Sequence, residues 1–181
     1  MQLTSEQQRI VRSGAARLAV QAGAGAAKTT TLCAYAQARP QSRVLYVAFN
    51  KAIQLEAAVR MPVNVSARTT HSLAWRKARE LFGDRAGERV GSTYPSTVSR
   101  AFGCTPLAAT AALQAIQKWC GSLEVELAAE HLPAEVASRL PDPAGLVALA
   151  QAVWKRMVDA NEREIRLTHD GYLKLYQMDG P

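Results

Sequence analysis

Short apolar runs alternate with helix-length segments through the first 82 residues of the chain. Residues 44–49 form an almost continuous apolar run of strand length, residues 18–20 form a shorter run, and residues 63–65 (VNV) are predicted to form another short strand. A continuous apolar run is typical of a strand buried on both faces of a parallel sheet. The helices predicted before, between and after these segments cover residues 5–14, 28–38, 52–59 and 73–81. Strands that alternate with helices in this way predict a doubly wound α/β unit.

The pattern changes at about Gly83, where glycines and a proline interrupt the chain and Ala/Leu-rich segments of helical periodicity follow. The helices predicted there cover residues 95–102, 106–120, 122–130, 133–139, 143–160 and 167–176. The charged residues 161–166 are expected to form an exposed helix end, and Trp119 and Trp154 are expected to anchor a core. This part of the chain is therefore predicted to be an all-helical subdomain, inserted into the α/β unit or appended to it.

A loop of small residues follows the first apolar run. It consists of Ala22, Gly23, Ala24, Gly25, Ala26 and Ala27, and Lys28, Thr29 and a predicted helix come next. A strand, a glycine-containing loop, Lys-Thr and a helix form the layout of a phosphate-binding P-loop. Backbone N–H groups at the start of such a helix bind phosphate oxygens. In this interpretation Lys28 reaches the β- and γ-phosphates of a nucleotide, and the Thr29 hydroxyl is a ligand of Mg²⁺.

The loop departs from the strict P-loop pattern, which has glycine where this chain has Ala22 and Ala27. Position 27 matters more, because a Cβ atom there crowds the backbone that must wrap around the phosphates. The alternative interpretation is an Ala/Gly-rich turn beside an ordinary Lys-Thr pair.

Charge adds a second feature. The 181 residues carry a net charge of +7, but residues 1–80 hold 12 Lys/Arg against three acids and residues 81–181 hold 10 against 12. This asymmetry favours a polyanionic partner for the first part of the chain. A solvated basic surface is the alternative.

Other classes of function find little support in the sequence. No apolar run approaches the length of a membrane span, which is about 20 residues, and the polar N-terminus resembles no signal peptide. Three scattered cysteines indicate reduced thiols used for packing in a cytoplasmic protein. Three scattered histidines, His71, His131 and His169, do not suggest a metal hydrolase.

Four segments in a fixed order resemble the first four motifs of UvrD/Rep-type superfamily 1 DNA helicases. They read LTSEQQ, AGAGAAKTT, YVAFNKA and TTHSLA. The sequences VAFNKAIQLEAA and LTHDGYLKLYQ are most similar to those of the F-box DNA helicase branch of that group. The resemblance covers essentially the whole chain, and the ordered set is more specific than any single motif.

The resemblance implies a RecA-like P-loop parallel sheet, as an incomplete first motor lobe, with an inserted all-helical subdomain. Residues 1–82 would form the ATP-binding half-lobe, residues 83–165 the helical subdomain and residues 166–181 a return segment. The family function is 3′-to-5′ translocation on single-stranded DNA, driven by ATP with Mg²⁺. By position, Gln7 would recognise adenine. The nucleotide loop would include Gly23, Gly25, Lys28, Thr29 and Thr30. The DNA track, which is the surface along which single-stranded DNA lies, would include Phe49, Asn50, Lys51, Thr70, His71 and Ser72. The alternatives are that Phe49 completes a buried strand and that His71 caps its helix.

The chain also lacks parts that such a motor needs. No acidic Walker B strand and no second lobe with arginines for the γ-phosphate precede Pro181. We therefore expect the N-terminal portion of a helicase, completed by a missing lobe or a second polypeptide and unable to unwind DNA alone. One rival is a catalytically silent protein that binds DNA or a partner. Another is a small P-loop kinase, for which an Arg-rich lid is missing.

Overall fold

The computed structural model describes residues 2–137 and 142–180. The chain forms two compact units, Met1–Thr70 and His71–Pro181. Helix α4 begins at the last residue of the first unit and continues into the second.

The first unit contains a two-stranded parallel sheet and three helices. Helices α1, α2 and α3 cover Ser5–Arg12, Lys28–Gln37 and Lys51–Arg60, and strands β1 and β2 cover Val44–Ala48 and Val65–Thr69. The strands pair in parallel, with Val44 opposite Val65 and Ala48 opposite Thr69. Helix α3 provides the crossover that a parallel pair requires. The prediction of a mixed α/β fold with a parallel sheet is confirmed at this level.

Polar side chains fix the ends of these elements. The Asn50 side-chain oxygen accepts a hydrogen bond from the backbone N–H of Ile53 at 2.9 Å, which caps the N-terminus of α3. At the start of β2, the side-chain amide of Asn64 donates to carbonyl oxygens at and beyond the end of α2. These carbonyls belong to Ala36, Arg39 and Ser42.

Three strand predictions need correction. Residues 18–20 form no strand, and Leu18 and Val20 are each 49% exposed. A strand requires a neighbouring backbone, and in the described residues β1 and β2 pair only with each other. The second strand begins at Val65, later than residues 63–65 suggested. Strand β1 is also not buried on both faces, because Leu45 and Val47 remain about half exposed.

The second unit is helical. Helices α4 to α7 cover Thr70–Phe82, Ala86–Arg89, Pro95–Phe102 and Pro106–Cys120, and α8 to α10 cover Ala134–Ala137, Pro143–Val158 and His169–Asp179. Short 3₁₀ turns lie at Gly83–Arg85 and Ala129–His131. The predicted helices at 95–102, 106–120 and 143–160 are confirmed to within two residues at each end. Of the helix predicted at 133–139, residues 138–139 lie outside the described residues.

Helices α7 and α9 form the centre of the core. Alanines on α7 are fully buried and allow a close approach of the facing helix, whose Val153 and Met157 are also fully buried. Trp119 is 2% exposed and meets Trp154 edge to face, with ring centroids 4.9 Å apart. The expectation that both tryptophans anchor a core is therefore confirmed.

The helix predicted at 122–130 does not form. The Lys174 ammonium, which is fully buried, donates to the carbonyl oxygens of Ser122 and Glu124 at 3.0 and 2.5 Å. The Gln151 amide donates to the Leu127 carbonyl at 2.9 Å. These carbonyls are bound by side chains from α10 and α9 instead of by N–H groups of a local helix, so tertiary contacts override local propensity.

The segment 159–167 is also ordered by tertiary contacts. The guanidinium of Arg89, which is 2% exposed, donates to the carbonyl oxygens of Met157, Asp159 and Ile165. Val90 and Leu167 form an isolated parallel bridge. The segment 161–166 forms no helix, so the prediction of a helix end there is wrong; residues 161, 163, 164 and 166 are exposed as expected, but Ile165 is fully buried.

The three cysteines are unpaired, and their environments differ. Cys33 and Cys104 are half-buried, while Cys120 lies in the core at the end of α7. Burial, with the nearby Asp170 carboxylate, raises the pKa of the Cys120 thiol to about 12. Among the described residues, no helix has the length and apolar character needed to cross a membrane.

Candidate functional site

The small-residue loop leads directly into α2. Gly25 has a φ of 74°, and Ala27, immediately before the helix, has φ 51° and ψ 40°. Ala27 is the only non-glycine with positive φ in the described part of the chain. This left-handed backbone favours glycine, because a Cβ atom there approaches the carbonyl oxygen. The loop therefore adopts a glycine conformation at the position where the P-loop pattern has glycine.

Lys28 is the first residue of α2, and its side chain folds back over the loop. Its ammonium donates to the carbonyl oxygens of Gly23 at 2.7 Å and Ala22 at 3.3 Å. The side chain is exposed, and Gly23 and Gly25 have open space where a Cβ atom would project. The loop thus presents an accessible cation together with the N-terminus of a ten-residue helix, which is a favourable arrangement for an anion.

The three threonines after Lys28 lie in the first turn of α2. Thr29 and Thr30 are half-buried, and Thr31 is 7% exposed. The Thr31 hydroxyl donates to the Ala27 carbonyl at 3.1 Å, and the Thr31 N–H donates to the same oxygen at 3.0 Å. Thr31 therefore holds the left-handed residue in place, a role that the sequence analysis missed. Its spacing of four residues from Ala27 was the available signal.

Gln7 lies on α1 and takes part in its capping box. The Gln7 side-chain oxygen accepts from the Thr4 N–H at 2.9 Å, and the Thr4 hydroxyl accepts from the Gln7 N–H at 3.3 Å. The side-chain carbonyl is therefore engaged with the backbone.

Helix α1 is fastened to α2 by Arg39, which the sequence analysis also missed. The Arg39 guanidinium donates to the carbonyl oxygens of Val11 and Ser13 at 2.9 and 2.7 Å, and it lies 3.7 Å from the centroid of the Tyr35 ring. A basic residue directly after a helix was the only sequence signal for this role.

Phe49, Asn50 and Lys51 follow the carboxyl end of β1. The Phe49 side chain is 90% exposed, so the alternative that it completes a buried strand is wrong. Asn50 caps α3, and the Lys51 ammonium donates to the Gln54 side chain at 2.8 Å. Thr70 follows the carboxyl end of β2. Because Ala48 pairs with Thr69, the residues that follow the carboxyl ends of β1 and β2 lie at the same edge of the sheet.

His71 and Ser72 lie in the first turn of α4, within the second unit. The His71 ring meets Tyr172 edge to face at 5.9 Å and His169 at 6.2 Å between centroids. The Tyr172 hydroxyl lies 3.3 Å from Nδ1 of His169. Burial, followed by the charge of Asp170, raises the pKa of Tyr172. His71 therefore connects the TTHS segment to the first turn of α10.

The charges are distributed unevenly between the units. The first unit holds nine Lys/Arg and two acids, so it carries a net charge of +7, whereas the second holds 13 of each. Within the described residues, no three His, Cys, Asp or Glu side chains cluster as metal ligands.

Comparison with known proteins relates the chain to DNA helicases. It is 30% identical over 200 aligned residues to F-box DNA helicase 1 of Gallus gallus, in an alignment that covers all of this chain and 20% of that protein. It is 46% identical over 76 residues to F-box DNA helicase protein 1 of Schizosaccharomyces pombe, covering 40% of this chain and 9% of that protein. No family model and no solved structure matches the chain. The chain is thus similar in sequence to F-box DNA helicases and spans about a fifth of the length of the chicken protein.

Proposed function

We propose that this chain binds ATP with Mg²⁺, and single-stranded DNA, as the N-terminal portion of a UvrD-like 3′-to-5′ DNA helicase or translocase. The observation that carries the proposal is the loop at residues 22–27, which ends in a left-handed residue and leads into α2 with Lys28 folded over its carbonyls. The similarity to proteins named DNA helicases supports the assignment to DNA.

The nucleotide would be held by the loop and by the first turn of α2. Lys28 would exchange its contacts with the Ala22 and Gly23 carbonyls for the β- and γ-phosphates, a stronger charge-assisted interaction. The Thr29 hydroxyl would serve as a ligand of Mg²⁺, which would neutralise phosphate charge, and Thr30 would complete the turn. The Gln7 amide group would donate to adenine while its oxygen keeps the capping contact with Thr4.

Single-stranded DNA would follow the residues after β1 and β2. Phe49 is exposed enough to stack on a base, and Lys51 can exchange its Gln54 contact for a phosphate. Asn50, Thr70, His71 and Ser72 would complete the track. The net charge of +7 on the first unit supports binding of a polyanion.

We further propose that residues 1–82 form a RecA-like half-lobe, residues 83–165 a helical subdomain and residues 166–181 a return segment. Hydrolysis and unwinding require an acidic Walker B strand and a second lobe, supplied by further chain or by a separate polypeptide. The isolated chain is then an ATP- and DNA-binding part that does not unwind DNA.

A second candidate is a catalytically silent protein that binds DNA or a partner protein. The left-handed Ala27 favours it, because the strained alanine and its methyl group oppose the closure of the loop around phosphates.

Calorimetric titration of the chain with Mg²⁺–ATP tests the proposal. We expect Ala27→Gly to bind at least as tightly as the unchanged chain and Lys28→Ala to bind at least about tenfold more weakly, since a charge-assisted contact is lost. Lys155→Ala is the matched control, because Lys155 is an exposed lysine on α9.

Each result has a definite meaning. If only Ala27→Gly binds, the loop is a P-loop disabled by its alanine. If the unchanged chain and Ala27→Gly bind equally and Lys28→Ala does not bind, the alanine is tolerated. If neither the unchanged chain nor Ala27→Gly binds, or if Lys28→Ala and Lys155→Ala weaken binding equally, the nucleotide site is rejected and the silent binding protein is favoured.

A further inference from the structure

One face of α4 forms an open groove of about 470 Å³ in the second unit. Its lining residues recur at helical spacing and are Ser72, Trp75, Arg76, Arg79 and Glu80. We call this surface the α4 groove. Ser72 is the one lining residue that also belongs to the proposed DNA track.

The charges of the α4 groove leave it cationic. Glu80 is the only acid in its lining, and its carboxylate lies 2.8 Å from the Lys77 ammonium and 3.4 Å from Nε of Arg76. The hydrogen bond from Lys77 lowers the pKa of Glu80, so this carboxylate stays ionised and its charge is balanced by the Lys77 ammonium. Lys77 is also paired with Asp179 on α10. Arg79 forms no ion pair within the described residues, and Arg76 is exposed over 66% of its side chain.

Trp75 gives the α4 groove a fixed aromatic wall. The indole meets the buried Tyr172 edge to face, with ring centroids 5.5 Å apart and planes at 86°. This contact orients the indole, and Trp75 is one of the residues that line the groove. A tryptophan and two arginines that line the same helix face offer base stacking and phosphate pairing together.

We propose that the α4 groove binds single-stranded nucleic acid, with Arg76 and Arg79 pairing with phosphates and Trp75 stacking on an unpaired base. The proposal rests on the DNA-binding part of the proposed function and adds a binding surface on α4, within the second unit. An acidic protein segment would match the guanidinium groups equally well, but a carboxylate has no aromatic face for the indole. The tryptophan therefore favours nucleic acid.

The test is fluorescence anisotropy of labelled oligo(dT) with the full chain, repeated over a range of salt concentrations. We expect Arg76→Gln with Arg79→Gln to weaken binding at least about tenfold and to reduce the slope of log K against log salt by about 1.4, because two phosphate contacts are lost. The matched control is Lys155→Gln with Arg163→Gln, which removes two exposed charges elsewhere in the same unit.

Tryptophan emission tests the stacking separately. Oligo(dT) should quench part of the emission of the unchanged chain, and Trp75→Phe should abolish that quenching, since Trp119 and Trp154 pack within the core. The melting temperature of each variant shows that the fold is retained. Trp75→Tyr, which keeps an aromatic face, should retain most of the affinity.

The outcomes separate this proposal from the proposed function. Binding that weakens equally in the arginine pair and in the control pair overturns the α4 groove alone. Absence of any oligo(dT) binding by the unchanged chain overturns both the groove and the DNA-binding function, while the ATP titration judges the nucleotide site separately. Polyglutamate that binds as tightly as oligo(dT), with the same arginine dependence and no change in Trp75 emission, overturns the groove in favour of an acidic protein partner.

Discussion

In the first unit, apolar side chains on β1 and α3 remain exposed, whereas in the second unit they converge on α7 and α9. Leu45, Val47, Leu55 and Val59 are between 47% and 88% exposed. Every member of the main buried cluster lies in the second unit, from Ala74 to Tyr172. Since burial of apolar area is the dominant favourable term in folding, most of the stability of the chain should come from the second unit.

Charge shows the opposite distribution. The entire net charge of +7 is carried by the first unit, and the second is neutral overall. The glycine-like loop and the exposed Phe49 also lie in the first unit. The comparison indicates that one unit carries most of the packing energy while the other carries most of the groups proposed to bind ligands. Functional groups are frequently placed on the less stable parts of a protein.

The largest expected effect comes from comparing two substitutions to alanine, one in each unit. Trp119→Ala should lower the free energy of unfolding by about 3–5 kcal/mol, because it empties the core beneath Trp154. Leu45→Ala removes a side chain that is 53% exposed and should cost less than about 0.5 kcal/mol. Urea denaturation followed by circular dichroism measures both. Similar costs for the two variants would contradict the comparison.

A second prediction concerns Glu162, whose carboxylate binds the backbone N–H groups of residues 163–165. The Glu162 side chain is 8% exposed and accepts a hydrogen bond from Arg156 Nε at 2.5 Å. Burial alone would raise the pKa of Glu162, but the bonds from Arg156 and from the backbone N–H groups of 163–165 lower it to about 2. Glu162→Gln should cost about 2 kcal/mol at pH 7, since it weakens hydrogen bonds to a charged group.

The direction in which stability changes with pH follows from the lowered pKa of Glu162. A folded-state pKa below the ordinary value of 4.5 contributes stability that is fully present above pH 4.5 and is lost as the pH falls towards about 2. The stability difference between the unchanged chain and Glu162→Gln should therefore shrink across that window. Glu164→Gln is the control, because its side chain is 53% exposed. An equal pH response of both variants would exclude the role of Glu162.

The smallest expected effect lies in the first unit. Ala27→Gly should stabilise the start of α2 by about 1 kcal/mol, because it relieves the left-handed backbone of an alanine. Hydrogen exchange of the amides in α2 measures this locally. Ala26→Gly, in the same loop but without positive φ, should give no gain. Faster exchange in Ala27→Gly than in the unchanged chain would show that the alanine carries no strain.

Elements set by local signals could be predicted from the sequence. Thr105 followed by Pro106 marks the start of α7, and Asp142 followed by Pro143 marks the start of α9, with each side chain accepting a backbone N–H. The α/β alternation in the first unit was similarly visible in the apolar pattern. For the candidate site, the loop and its Lys-Thr pair were identified from residue types and spacing.

Features set by distant contacts could not be predicted. Lys174 is fully buried, although nothing in the sequence distinguishes it from an ordinary surface lysine of α10. The carbonyl groups that it binds are about 50 residues away in the chain. Arg89 similarly binds carbonyls near residues 157–165. Residues 18–20 have a strand-like composition, but whether a run pairs depends on a neighbouring backbone that composition does not specify.

The buried thiol at the end of α7 has a practical consequence. With a pKa of about 12, Cys120 holds almost no thiolate at neutral pH, so alkylating reagents cannot modify it at an appreciable rate while α7 stays packed. Once the second unit opens, the thiol regains its ordinary acidity and reacts. The rate of Cys120 alkylation by iodoacetamide, followed by peptide mass analysis, therefore reports how often that unit opens. Cys33 in the first unit is only half-buried, so it supplies a reference for a thiol that reagents reach without such opening.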